Sequence, residues 1–313
     1  MRRATASQVD WILFLALGFF WGSSYLFIKI GIETLPPFSL IAGRLLIGAL
    51  LLGAVLLMAR EPLPREPRVY GHLVVMAVVN IAVPFTLITW GEQHIDSALA
   101  SILNATVPLF TIILAALAFH DEAVTVSRLA GLAIGFLGVV ILVGRGLSGT
   151  LGEGSVLGEL AMIGSSIAYA IGNVYARRNT RGLRPMIPAF FQVFFALCMT
   201  ATLALLLEEP WSLAPAPEAV FSVVWLGLLG SGLAYLVFFR LLRDWGSTRT
   251  SMVAYLLPVV GIALGVAVLG ETINVRVIAG TILVIGGVAL VNSRRGSRRL
   301  FGRAAPSSEI KPA

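Results

Sequence analysis

Along this chain, apolar stretches of about 20 residues alternate with short polar breaks, and a helix of that length crosses a roughly 30 Å hydrocarbon core. The predicted spans are residues 11–32, 37–59, 69–90, 97–119, 124–144, 155–177, 185–207, 218–240, 247–269 and 273–292. The pattern therefore predicts an all-α integral membrane protein with ten transmembrane helices. Composition points the same way: 58% of residues are hydrophobic and 12% charged, where soluble domains carry about 25% charged residues.

Charge refines the picture. A net charge of +7 would suit nucleic acid if the basic residues formed a stripe, but they sit in short loops between apolar runs. The positive-inside rule explains them instead and places both termini in the cytoplasm. Arg145 and Arg276 then fall outside, and Lys29 and Arg44 lie within spans. The first run lacks a small-residue cleavage site and reads as an uncleaved span. Cys198 is the only cysteine, so neither an intrachain disulfide nor a thiol metal site is expected. The basic, proline-containing tail at 293–313 is expected to be disordered at an anionic lipid surface. The bilayer and a small-molecule substrate are the expected partners, with no cofactor, nucleic acid or obligate protein partner.

Self-similarity decides the architecture. The block from Ser101 aligns with the block from Ser251: Pro108 matches Pro258, Glu122 matches Glu271, Ala130–Gly131 match Ala279–Gly280, and Gly138 matches Gly287, with one residue slipped between. Residues 1–10 precede a first five-helix repeat at 11–144; a loop at 145–154 leads to the second repeat at 155–292. Five spans per half is an odd number, so the halves must enter the membrane from opposite sides. Inverted repeats are a common plan of secondary transporters, whose substrate site lies near mid-membrane between the halves.

These residues resemble the drug/metabolite transporter superfamily with its duplicated EamA-type domain. The likeness is carried by WGSSYLFIKIG from Trp21, AGRLLIGALLL around Arg44, the Pro108-to-Gly138 block, and the Pro258-to-Gly287 block with its LGET. It covers residues 11–292. His120-Asp121-Glu122 departs from the Gly270-Glu271 pair of the second half. Within the superfamily the chain is most similar to bacterial amino-acid exporters, including the aromatic type. That implies outward transport of amino acids or similar small metabolites across the bacterial inner membrane by alternating access; drugs or nucleosides are the alternative cargo.

Depth selects candidate site residues. At 1.5 Å per residue, Trp21 lies about 15 Å into its span, while Lys29, about 27 Å in, snorkels towards headgroups. Gly22, Ser23 and Ser24 serve either close helix packing or, with Trp21 and Tyr25, a central cavity. Further mid-depth candidates are Asn80, Asn104, Pro108, Ser166, Tyr169, Tyr235, Tyr255 and Pro258, because isolated polar groups in hydrocarbon need partners or water. The paired prolines are either packing kinks or sources of free carbonyls for a ligand. Arg44, about 9 Å deep by the same rise, needs an acceptor: loop carbonyls, Glu33 or a substrate carboxylate. Gln192 is expected at the matching depth of the other half. The glycine-rich fifth and tenth spans read as peripheral scaffold. Glu92, Asp96, Glu122, Glu159 and Glu271 fall near span ends and read as solvated carboxylates, leaving a facilitator and a proton antiporter equally open.

No enzyme is expected, since His72, His94 and His120 sit at the ends of three different spans and no nucleophile–base set converges at mid-depth. A channel would share the inward polar residues, but the inverted duplication with paired prolines favours a carrier.

Overall fold

A computed structural model of the chain describes residues 8–119, 124–143, 154–180, 182–245, 250–292 and 299–301. Glu122, most of the 145–154 loop and most of the tail lie outside these residues. The helices are α1 (Gln8–Gly31), α2 (Pro37–Met58), α3 (Pro67–Gly91), α4 (Ser97–Ala118), α5 (Val126–Val143), α6 (Gly154–Asn179) and α7 (Met186–Leu207). Next come α8, whose apolar part is Pro217–Phe238, then α9 (Met252–Leu269) and α10 (Val275–Asn292). Seven of them, α1–α4 and α7–α9, are long and apolar enough to cross a membrane. The protein is thus embedded in the bilayer through many passes. Proline opens α2, α3 and α8, where its missing N–H removes a donor that has no intrahelical acceptor anyway.

Helix regularity fails at matching places in the two halves. α3 contains a π-helical segment, Val78–Ala82, just before Pro84, and α8 contains another, Leu226–Leu233, at its glycine-rich stretch. α4 breaks between Asn104 and Val107, and α9 starts as a 3-10 turn, Ser251–Tyr255, ahead of Leu256. Pro108 and Pro258 each stand in the first turn of the helix that follows the break. They therefore restart helices rather than kink them.

Packing repeats this correspondence. α5 packs on α10, α4 on α9 and α2 on α7; α3 on α6 mirrors α8 on α1; α2 on α8 mirrors α7 on α3; and α4 on α6 mirrors α9 on α1. Exchanging each helix for the one five places along maps this set onto itself. At the α5–α10 contact, backbones touch: a Cβ on Gly131 would lie 2.6 Å from the Gly287 carbonyl oxygen, and one on Gly138 would lie 2.8 Å from that of Gly280. Gly286 faces open space, so that glycine is not part of the contact.

Two expectations need correcting. The predicted eighth span ended at 240, whereas its helix runs on to Trp245. In the tail, Arg299–Phe301 forms a short strand antiparallel to Val124–Thr125, so those three residues are ordered by backbone pairing.

Candidate functional site

The polar residues of α1, α2, α4, α6 and α8 converge where the helices are irregular. Asn104, the last residue before the α4 break, donates its amide to the Tyr25 hydroxyl at 2.6 Å, and its own Oδ1 has no partner. The Ser166 hydroxyl donates to the Leu103 carbonyl at 3.2 Å. Tyr169 packs against the same core cluster as Tyr25. Short helical segments meeting here leave backbone and side-chain groups that a continuous helix would have paired internally, and π-bulges recur at functional sites for that reason.

Arg44 anchors the neighbouring half of the site. It is 3% exposed, donates from Nε to the Ser231 hydroxyl at 3.3 Å and lies 4.2 Å over the Phe85 ring. A Cβ on Gly230 would meet Ser24 Oγ at 3.1 Å and Arg44 Nη2 at 3.3 Å. Glycine at 230 thus leaves room where the guanidinium and the serine approach. Tyr25, Tyr169, Tyr235 and Glu92 all lie within electrostatic reach of Arg44. Among the described residues no carboxylate lies within ion-pair distance of it. Glu33 is exposed, and the expected pairing of Arg44 with Glu33 or with loop carbonyls is corrected: its hydrogen-bond acceptor is Ser231 in the π segment of α8.

The other candidates divide. Trp21 donates from Nε1 to the Gly230 carbonyl at 3.2 Å, with its ring edge-on to Tyr235 at 6.4 Å; Ser24 Oγ bonds the Phe20 carbonyl at 3.1 Å. Asn80 leans on Gly172 of α6 and keeps an unpartnered Oδ1. Pro258 is buried in α9 and Pro108 is half-buried in α4. Tyr255 packs against the cluster of Leu109, Val288 and Val291, a different cluster from the one that holds Tyr25. Gln192 is buried on α7 with its Oε1 unpartnered.

At the end of the bundle that carries Lys29, the connections are tied across helices. Lys29 Nζ donates to the carbonyls of Glu92 (2.6 Å) and Ile95 (2.8 Å), which corrects its expected snorkelling to headgroups. Glu271 accepts from the Ser97 and Ala98 amides at 2.8 and 2.9 Å. Glu208 accepts from the Phe38 amide at 2.8 Å, and from the Ser39 amide and hydroxyl at 2.6 and 2.8 Å. These carboxylates occupy helix N-termini, where orphan amides and the helix dipole favour negative charge. Glu92 is 0% exposed with both carboxylate oxygens unpartnered, and Glu159 is 4% exposed beside Arg276; neither is the solvated carboxylate its position implied. At the opposite end, His72 Nδ1 and the Tyr175 hydroxyl lie 2.7 Å apart, and Arg184 pairs with Glu61.

Sequence reading picks out Ser231 as a mid-depth polar residue but misses its pairing with Arg44, the π segments and the burial of Glu92. The signals were present in Pro84 and in the GLLGSGL run, and Glu92 follows apolar residues without the intervening polar break that a solvated loop carboxylate would have.

A membrane-embedded bundle of two corresponding halves, with polar and aromatic side chains meeting between them, is an arrangement suited to a membrane transporter. The chain belongs to the EamA-like transporter family, whose model matches it twice, over residues 10–144 and 156–293. It is 30% identical over 262 residues to the uncharacterized inner membrane transporter YedA of Escherichia coli (strain K12), covering 83% of this chain and 82% of that one. It is 25% identical over 290 residues to a probable amino-acid metabolite efflux pump of Salmonella typhimurium (strain LT2), covering 90% of this chain and 94% of the relative. A crystal structure with 22% sequence identity shares the fold at a TM-score of 0.65 over 92% of this chain and 99% of that one.

Proposed function

We propose that the protein is a ten-span carrier of the bacterial inner membrane, built from two inverted halves with both termini cytoplasmic, that exports amino acids, aromatic ones included, or similar small metabolites by alternating access. The observation that carries the cargo reading is Arg44: a buried guanidinium that has, among the described residues, one neutral hydrogen-bond acceptor and no carboxylate within ion-pair distance. An uncompensated buried cation is costly, and a planar fork of donors suits a carboxylate supplied by the cargo. Tyr25, Tyr169, Tyr235 and Trp21 offer apolar surface for a side chain, and the free Oδ1 of Asn104 is an acceptor for an ammonium group. Membership of the transporter family and the likeness to an amino-acid metabolite efflux pump support the reading.

The test compares each amino acid with its uncharged C-terminal amide as competitors of uptake into proteoliposomes. A charge-assisted bond contributes about 1.5–3 kcal/mol, so wild type should favour the acid by about 10- to 150-fold. Arg44→Gln should abolish that preference. Equal competition by acid and amide in wild type would refute the assignment, and ion currents in place of saturable exchange would refute the carrier.

A further inference from the structure

Glu92 follows directly on α3, in the connection to α4 at the Lys29 end, and its carboxylate takes part in none of the hydrogen bonds or ion pairs described above. Its residue is wholly buried and neither carboxylate oxygen has a hydrogen-bond partner, although its neighbours are not short of charge. Tyr25 and Lys29 face it from α1, Arg44 from α2 and Glu271 from the turn after α9. On α6, packed against Gly91, the acidic residue is Glu159, which lies 3.9 Å from Arg276. Lys29, the cation that acts on it most strongly, spends its ammonium on the two backbone carbonyls of the same connection. Glu271, the anion that acts on it, spends its oxygens on the Ser97 and Ala98 amides. Glu92 therefore lies within electrostatic reach of both the tied connections and Arg44, with its oxygens in neither set of bonds.

We propose that Glu92 is a proton-binding site, occupied while the Lys29 end is closed as in this structure and emptied when that end opens to water. An ionised carboxylate buried away from solvent with no protein donor is disfavoured, and protonation relieves that penalty. Burial pushes the Glu92 carboxyl well above the usual carboxylate range; Lys29 pulls it back down and Glu271 adds to the rise. Hydration of the connection reverses the balance: water solvates the carboxylate, Lys29 stands beside it, and the proton leaves. The closed end is thus favoured at low pH and its opening at high pH. The site itself is independent of cargo; only its consequence for transport, a coupling of export to proton movement, rests on the carrier reading.

Two measurements on the full chain in lipid test this. Infrared difference spectra of the protein titrated upward from acid pH should show the carbonyl stretch of a protonated carboxylic acid persisting above the usual carboxylate range and then disappearing, and Glu92→Gln should lack the Glu92 part of that band while folding normally. Hydrogen exchange of the 92–100 backbone, corrected for its intrinsic pH dependence, should quicken with pH in wild type and stay slow and flat in Glu92→Gln, which mimics the protonated group. Wild-type and variant spectra that coincide, or backbone exchange that rises equally in both, would overturn the proposal. Cargo counterflow separates the two ideas: its absence with the infrared band intact refutes the carrier reading and leaves the proton site standing.

Discussion

Replacing Glu271 by alanine should unlock α4. Gly270 ends α9 in the left-handed region (φ 66°), and that turn brings the Glu271 amide back to the Gly265 carbonyl at 3.1 Å. The carboxylate then lies across the start of α4, with one oxygen for each of the Ser97 and Ala98 amides. Asp96, in the N-cap position, makes no side-chain cap bond, so Glu271 is the cap. Ser97 and Ala98 are 0% and 2% exposed, and water has little room to replace it. A buried amide left without its acceptor costs about 1–3 kcal/mol, and two give about 2–6 kcal/mol before relaxation. Glu271→Gln rescues little, because its NH2 confronts one of the two amides. A Cβ on Gly265 would fall 2.3 Å from Glu271 Oε2, so Gly265→Ala perturbs the same carboxylate from below. Thermal unfolding in detergent should therefore show both single variants destabilised, with Gly265→Ala costing clearly less on the Glu271→Ala background than on wild type. Melting of Glu271→Ala at the wild-type temperature, or strictly additive losses, would refute the capping argument.

Gly287→Val should separate α5 from α10, since its Cβ would fall 2.5 Å from the Gly135 nitrogen; overpacking of this kind costs about 1–3 kcal/mol or more. Gly286→Ala, pointing into open space, should melt at or slightly above wild type, given alanine's advantage of about 1 kcal/mol in a helix. Tyr25→Phe removes the acceptor held by Asn104 at 2.6 Å and should lower stability by only about 1 kcal/mol, as membrane-buried side-chain bonds do, while changing cargo affinity in counterflow. An unchanged affinity would remove Tyr25 and Asn104 from the site.

Long-period features were legible in the chain. Apolar runs mark most helices to within a few residues because lipid demands a fixed length of apolar helix. The Pro108/Pro258, Gly131/Gly280 and Gly138/Gly287 correspondences mark the repeat because a restarted helix and a close helix contact need those residue types wherever the backbone repeats. What depth counting does not give is azimuth. It places Tyr255 level with the other candidates, yet the side chain packs against the cluster of Leu109, Val288 and Val291. It also places Glu92 at a helix end without showing that the connection folds inwards under Lys29. The π segments shift every later side chain of α3 and α8 around its helix axis, so the meeting of Ser231 with Arg44 is invisible to a count of regular turns.

The ties at the two ends bear on how a carrier of this plan would open. At the Lys29 end, Glu208 to α2, Glu271 to α4, Arg276 to the Ile141 carbonyl (2.7 Å) and the Ala216 amide to Thr34 (3.1 Å) all join the second half to the first. Lys29 bonds only within the first half. Rocking of one half against the other must break the first group and can leave Lys29 in place. Broken without solvent, charged bonds of this kind would cost far more than the few kcal/mol that separate interconverting states. Exchanged for water they cost about 0.5–1.5 kcal/mol each. In a carrier of this plan, opening and wetting of this end would therefore be one event, and Glu92, buried and within electrostatic reach of Glu271, would change its surroundings at the same moment as the halves part.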